Sequence, residues 1–228
     1  MGDSHMLHSD VLVEALAAGG LPSLQGMGRR ERRAAETRLR LFRSALHLFA
    51  ERGFSNVTVE DITEAADVGK GTFFNYFESK DHVLGVMPEL QLAKVREAAR
   101  LASVGKQSIH AILHRLVLQL AEEPGRSPDL ARAVVSSFLT SEIVRSLVER
   151  QMSGGRAVIA GIIAEGQKRG EIDMGLKDDS VALQLQQMIL GTVLLWSLHG
   201  ERPLAAWIED SFQLFWRGIG GKGREHKS

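Results

Sequence analysis

The stretch VTVEDITEAADVGKGTFFNYFESK, Val57 to Lys80, sets two very short helical patterns back to back around a glycine-rich turn. Thr58 is the N-cap candidate of the first, with Asp61 three residues on as a capping-box partner. That helix carries Val59, Ile62, Ala65 and Ala66, and it must stop near Asp67, because Gly69 and Gly71 follow at once. A second helix of about two turns is predicted from Lys70 to Phe77, with Phe73, Phe74 and Phe77 in it. Helices this short are not stable alone in water. Something must hold the aromatic one from behind, which leaves Thr72 and Asn75 on its front.

The brace is predicted just upstream. From Arg30 to Arg52, Leu39, Phe42, Ala45, Leu46, Phe49 and Ala50 recur at three- and four-residue spacing and make one apolar face. Gly53 stands where a left-handed residue would end that helix, and Phe54 can fold back onto it. Two short helices joined by a tight turn describe a helix-turn-helix, whose second helix enters the major groove of DNA. A small core of Ile62, Ala65, Ala66, Val68, Phe73 and Phe77 would then send Thr72, Asn75 and Tyr76 outward.

The remainder reads as helical. Ser79 is an N-cap candidate for a long helix from Lys80 to about Ser103, and further segments are predicted near 106–123, 128–149, 151–169, 178–199 and 203–218. Their boundaries come from Gly105, EEPGRSPD, SGG, KRGEIDMG and the Gly200–Pro203 break. No stretch alternates with period two for long enough to suggest a strand. The fold class expected is all-α: an N-terminal three-helix helix-turn-helix domain followed by a helical ligand-binding and dimerisation domain. The divisions are a flexible tail over 1–28, the DNA-binding domain over 29–82, a regulatory and dimerisation domain over 83–219, and a disordered tail over 220–228. Within the first tail, MGDSHM reads as a tag remnant and Val11 to Ala18 as a short helix.

Composition narrows function by its distribution. Lys plus Arg and Asp plus Glu are 28 each, so the formal net charge is +0 and any nucleic-acid surface must be local. Arg29, Arg30, Arg32, Arg33, Arg38, Arg40, Arg43 and Arg52 crowd one segment. Two readings stand for the four nearest its start, phosphate contact or a solvated helix face. With 0 Cys there is no disulfide framework and no cysteine-ligated metal. No uninterrupted apolar run approaches the roughly 18 residues of a membrane span, and Glu14 interrupts the only apolar stretch near the start. A cytoplasmic protein without membrane attachment is expected.

The run LHLFAERGFSNVTVEDITEAADVGKGTFFNYFESKDHVL resembles the DNA-binding region of the tetracycline-repressor (TetR) family of bacterial transcription regulators over about residues 33–84. The resemblance rests on F-x-x-x-G-F-x-x-x-T, an I-x-x-x-A turn and G-T-F-F-N-Y-F-x-S-K. It implies that Thr58 contacts a phosphate, that Lys70, Gly71, Thr72 and Asn75 face base edges, and that Tyr76 and Lys80 clamp phosphates. The chemistry agrees, since Asn pairs bidentately with adenine and a Thr methyl packs on a thymine methyl. Read alone, Lys80 fits a solvated first-turn lysine; its place after Ser79 in the motif favours contact. Three positions depart from the family: Phe74 where Tyr is usual, Tyr76 where His is frequent, and Asp67 where Gly is frequent. Phe73, Phe74 and Phe77 are expected in the core, Phe74 also reaching a sugar edge.

Downstream, Val181, Leu185, Met188, Ile189, Thr192, Leu195 and Trp196 crowd one helix and Leu204, Trp207, Ile208, Phe212, Phe215 and Trp216 the next. That exceeds one core-facing stripe. The resemblance implies that these two helices pair in a four-helix homodimer interface, and two reading helices about one DNA turn apart suit a palindromic operator. It also implies an effector pocket among the middle helices. His110, His114, Gln119, Ser136, Ser137, Thr140 and Met152 are candidates to line it, for a small organic ligand of unknown identity. The i,i+4 pair His110 and His114 lacks the Glu of a metalloprotease helix, so no metal or cofactor is expected. No nucleophile motif or P-loop is present, and no enzyme is expected. The function inferred is a sequence-specific regulator of double-stranded DNA, a repressor released by an effector. The alternative is a helix-turn-helix regulator whose second domain binds a protein.

Overall fold

The computed structural model describes residues 28–140 and 142–221, without the side chain of Ile143. The expectations for 1–27 and 222–228 lie outside the described residues. In chain order the elements are α1 (Arg29–Arg52), α2 (Val59–Ala65), α3 (Lys70–Phe74), α4 (Lys80–Leu84), α5 (Val86–Val104), α6 (Ile109–Ala121), α7 (Pro128–Thr140), α8 (Glu142–Lys168), α9 (Asp178–His199) and α10 (Leu204–Ile219). Among the described residues there is no strand, only one isolated antiparallel bridge between Ile172 and Gly220. The chain is all-α, with an N-terminal helix-turn-helix.

Two compact units form, one from the chain up to Ala93 with Arg126–Gln151, the other from Lys94–Gly125 with the chain from Met152 on. In the first, α1 is the central post. Its predicted face of Leu39, Phe42, Ala45, Leu46 and Phe49 is buried, and so are Leu41 and Leu48. The extra burial follows from packing on a second side, where Leu130 and Val134 of α7 join the same core. Gly53 ends α1 at φ +77°, its N–H donating to the Phe49 carbonyl. Phe54 returns edge-on to Phe49, the ring centroids 4.8 Å apart.

The long helix predicted from Lys80 is broken. It forms as α4 and α5 with Gly85 between them. Pro88 supplies the reason: it has no N–H for the Leu84 carbonyl, and its ring crowds that oxygen. It is accommodated in the first turn of α5. The SGG boundary is also overturned, since α8 runs through Ser153, Gly154 and Gly155. Two glycines cost a helix about 1 kcal/mol each. The buried Ile159, Ile162 and Ile163 on the same helix outweigh that local preference.

In the second unit, α6 begins at the Ser108 cap, whose Oγ accepts the Ala111 N–H. Glu171 adds its carboxylate to the Ile109 N–H at 2.7 Å. Inside this unit Lys94 is buried and donates to both Glu123 oxygens, at 2.9 and 2.7 Å. The turn after α8 is tight: a Cβ on Gly166 would come within 2.7 Å of Ile172. Gly220 and Gly221 are not loose as expected of 220–228, because the Gly221 N–H donates to the Glu171 carbonyl. Helix α9 is, by length and composition, apolar enough to cross a membrane. It is interrupted by Gln184, Gln186 and Gln187, and it buries Val181, Ala182, Leu185, Val193 and Trp196 within its unit. Gly200 closes it at φ +62°, and the Trp196 indole N–H donates to the Arg202 carbonyl at 2.6 Å.

Candidate nucleic-acid interface

Helix α2 starts on a complete capping box. Thr58 Oγ1 accepts the Asp61 N–H at 3.1 Å. In return the Thr58 N–H and its hydroxyl both donate to Asp61 Oδ2, each at 2.7 Å. These bonds hold the Asp61 carboxyl below the usual carboxylate range, the Thr58 hydroxyl contributing most. The helix ends at Ala65 and the turn comes where predicted, at Asp67, which takes φ +50°. Its short polar side chain tolerates that left-handed backbone better than most. The Val68 N–H closes the turn on the Thr63 carbonyl at 3.0 Å.

Helix α3 is shorter than the predicted Lys70 to Phe77, running Lys70–Phe74. The Tyr76 and Phe77 N–H groups both donate to the Phe73 carbonyl, at 2.9 and 3.0 Å, so the last turn tightens instead of continuing. Phe73 is 0% exposed and Phe77 3%. Their rings lie 5.5 Å apart, and the Arg38 guanidinium sits over Phe77 at 5.7 Å. Phe74 departs from the core expectation and stands 49% exposed. It lies about 100° around the helix from Phe73, at the last helical residue. Gly71 and Asn75 are exposed, and Thr72 and Tyr76 are half-buried. A Cβ added at Gly71 would meet nothing within 4 Å. Neither protein packing nor a left-handed backbone demands glycine there.

Three candidate contacts already have partners within the chain. Lys70 is paired with Glu60, which holds the Glu60 carboxyl below its ordinary value. Lys80 donates to the Phe54 and Val57 carbonyls, at 2.9 and 3.0 Å, with its ammonium 4.5 Å from the Phe54 ring centre. It is neither a solvated lysine nor a free phosphate clamp, and one N–H of its three remains. The Thr58 donors are both taken by Asp61. A residue list shows which groups can donate; it does not show which acceptors the fold sets beside them. Ser79, the predicted cap of α4, makes no capping bond, and its Oγ lies 3.4 Å from His82 Nδ1.

The residues predicted to line an effector pocket divide. Ser136, Ser137 and Thr140 line an open, polar cleft of about 390 Å³ in the first unit, with Arg52, Asn56 and Asp129. In the second unit His110 and His114 stack 5.9 Å apart, and His110 meets Trp216 edge-on at 4.8 Å. His114 Nε2 lies 2.5 Å from Glu209 Oε2. Gln119 and Met152 lend backbone carbonyls to Lys94 and Gln186. Among the described residues no three His, Cys, Asp or Glu side chains come together in a way that suits a metal ion.

Residues 41–87 match the family described as bacterial regulatory proteins, tetR family. The HTH-type transcriptional regulator TcmR of Streptomyces glaucescens is 47% identical over 58 residues, a match spanning 25% of this chain and 26% of that protein. The chain thus spans about a quarter of TcmR's length. The HTH-type transcriptional repressor DhaR of Mycobacterium sp. (strain GP1) is 26% identical over 179 residues, covering 77% of this chain and 90% of DhaR. The crystal structure of Thermus thermophilus FadR, a TetR-family transcriptional repressor in complex with lauroyl-CoA, superposes with a TM-score of 0.57 at 29% identity, over 84% of this chain and 98% of FadR. The capped α2, the turn at Asp67 and the anchored α3 all fall inside the segment over which the chain is similar to the tetR family of bacterial regulatory proteins.

Proposed function

We propose that this chain is a sequence-specific DNA-binding transcriptional regulator, a repressor that a small-molecule effector releases from a palindromic operator. The observation that carries it is the division of α3, with Phe73 and Phe77 buried behind and Gly71 and Asn75 exposed in front. Asn75 takes an adenine edge, the Thr72 methyl packs on a thymine methyl, and the Tyr76 hydroxyl reaches a phosphate. Gly71 lets a duplex come close to the backbone, which accounts for a glycine that the protein's own packing does not need. Lys70 exchanges Glu60 for a base edge. Thr58 and Lys80 keep their internal bonds, shape the approach, and offer a phosphate what remains. Residues 29–82 read DNA in this account, and 83–219 sense the effector and dimerise.

Homodimerisation is supported by an apolar face. Leu190, Leu194, Leu195 and Leu198 of α9 and Leu214 of α10 are exposed on the single chain. A two-fold pairing there would cover them and set two α3 helices against successive major grooves. The effector is a small organic molecule. Because FadR of Thermus thermophilus was crystallised with lauroyl-CoA, acyl-CoA thioesters are the first probes. The setting is the cytoplasm. Enough differential affinity of the effector for a DNA-incompetent conformation would empty the operator.

The test is fluorescence anisotropy at about 150 mM salt, a Debye length of about 8 Å, on random duplex and on a site selected from a random library. Tighter binding to the selected site is expected, and equal binding to both would refute specific regulation. Asn75→Ala should leave the melting temperature unchanged and lower discrimination at one base pair by about 1–3 kcal/mol.

A further inference from the structure

An exposed phenylalanine beside the polar front of a reading helix needs an occupant. Phe74 is 49% exposed, and its ring stands edge-on to Phe73 at 5.4 Å and 82°. The buried Phe73 ring thus sets the direction of a neighbour that keeps its outer face in water. Phe74 lies about 100° around the helix from Asn75 on one side and from Phe73 on the other. It flanks the polar front opposite Thr72. A hydrocarbon ring neither donates nor accepts a conventional hydrogen bond, so it offers a phosphate or a base edge none. The apolar group that base pairs present in the major groove is the thymine 5-methyl.

We infer that Phe74 is a specificity-determining residue that packs on a thymine 5-methyl group, beside the base pair taken by Asn75. The inference rests on the DNA-reading function proposed above. The ring would exchange water for the methyl, while Asn75 takes its hydrogen bonds one step away. Each half-site then holds a thymine whose methyl, not its hydrogen-bonding edge, is what counts. The other apolar surface within reach of a duplex is deoxyribose, which every nucleotide carries and which would give affinity without selection.

Selection of operator sequence with the full chain comes first, followed by anisotropy titration of wild type and Phe74→Ala on duplexes with each half-site thymine replaced in turn by deoxyuridine. That replacement removes the methyl and leaves sugar, phosphate and pairing edge intact. Wild type should lose about fourfold for one such position per half-site, and roughly fifteenfold when both half-sites are changed, the worth of one buried methyl group each. Phe74→Ala should bind the thymine operator more weakly and show no preference between thymine and deoxyuridine at that position alone. Equal losses for Phe74→Ala on thymine and deoxyuridine duplexes would assign the ring to sugar and overturn the inference. So would wild-type indifference to deoxyuridine at every position, a result that needs no variant to fold. If selection enriches no site at all, it is the DNA-reading function that fails, a separate outcome.

Discussion

The ammonium of Lys80 joins α4 to the loop before α2 through the Phe54 and Val57 carbonyls. Lys80→Ala leaves the Val57 carbonyl without that donor and the Phe54 carbonyl with only the long Val57 N–H bond, so it should cost about 1–3 kcal/mol of stability as well as operator affinity. A lysine serving only as a phosphate clamp would lower affinity and the salt slope without moving the thermal melt, and the pair of measurements separates the two roles. At the other end of the same loop, Asp61 has its carboxyl lowered by the Thr58 hydroxyl and N–H and by Arg52. A lowered folded-state pKa means that its contribution is full above the ordinary aspartate range. It is lost as pH falls through that range toward the folded value. Asp61→Asn should therefore melt below wild type at neutral pH, with the gap closing as the solution is acidified into that range. A gap that is constant with pH would show that the carboxylate charge plays no part in the cap.

At the scale of elements, α3 is kept short by what it must do. Gly71 weakens a five-residue helix, yet a methyl group there would meet only open space. Gly71→Ala should raise stability by about 0.5–1 kcal/mol and weaken operator binding, read by thermal melt and by anisotropy. A gain in both would place the DNA elsewhere. The two helices of this motif were legible in the sequence because their ends are written in local chemistry: Thr58 with Asp61 at one end, and Asp67 before two glycines at the other. The inward turn of Phe73 and Phe77 followed from helical spacing alone. What was not legible depends on residues far along the chain or on atoms that letters do not place. Leu41 and Leu48 share a buried core with Leu130 of α7, which arrives from more than eighty residues further along the chain. Gly154 and Gly155 stay helical because their neighbours are packed, and Phe74 is exposed although its composition reads as core. Pro88 carried a readable break that the periodicity around it concealed.

Across the whole chain, the feature that reaches furthest is the leucine face of α9. Replacing Leu194 and Leu198 together by arginine should leave the helical content intact, since both side chains are exposed on the single chain. On the dimeric reading it should halve the mass measured by light scattering and abolish tight operator binding. A dimeric mass for that variant would exclude this face as the seam. Hydrocarbon that only a second copy can cover makes assembly a matter of mass action. The melting temperature should then climb as the protein is concentrated. Below the dissociation constant of the pair, operator occupancy would follow roughly the square of the chain's abundance, so a cell holding half as many chains would keep far less than half of its repression.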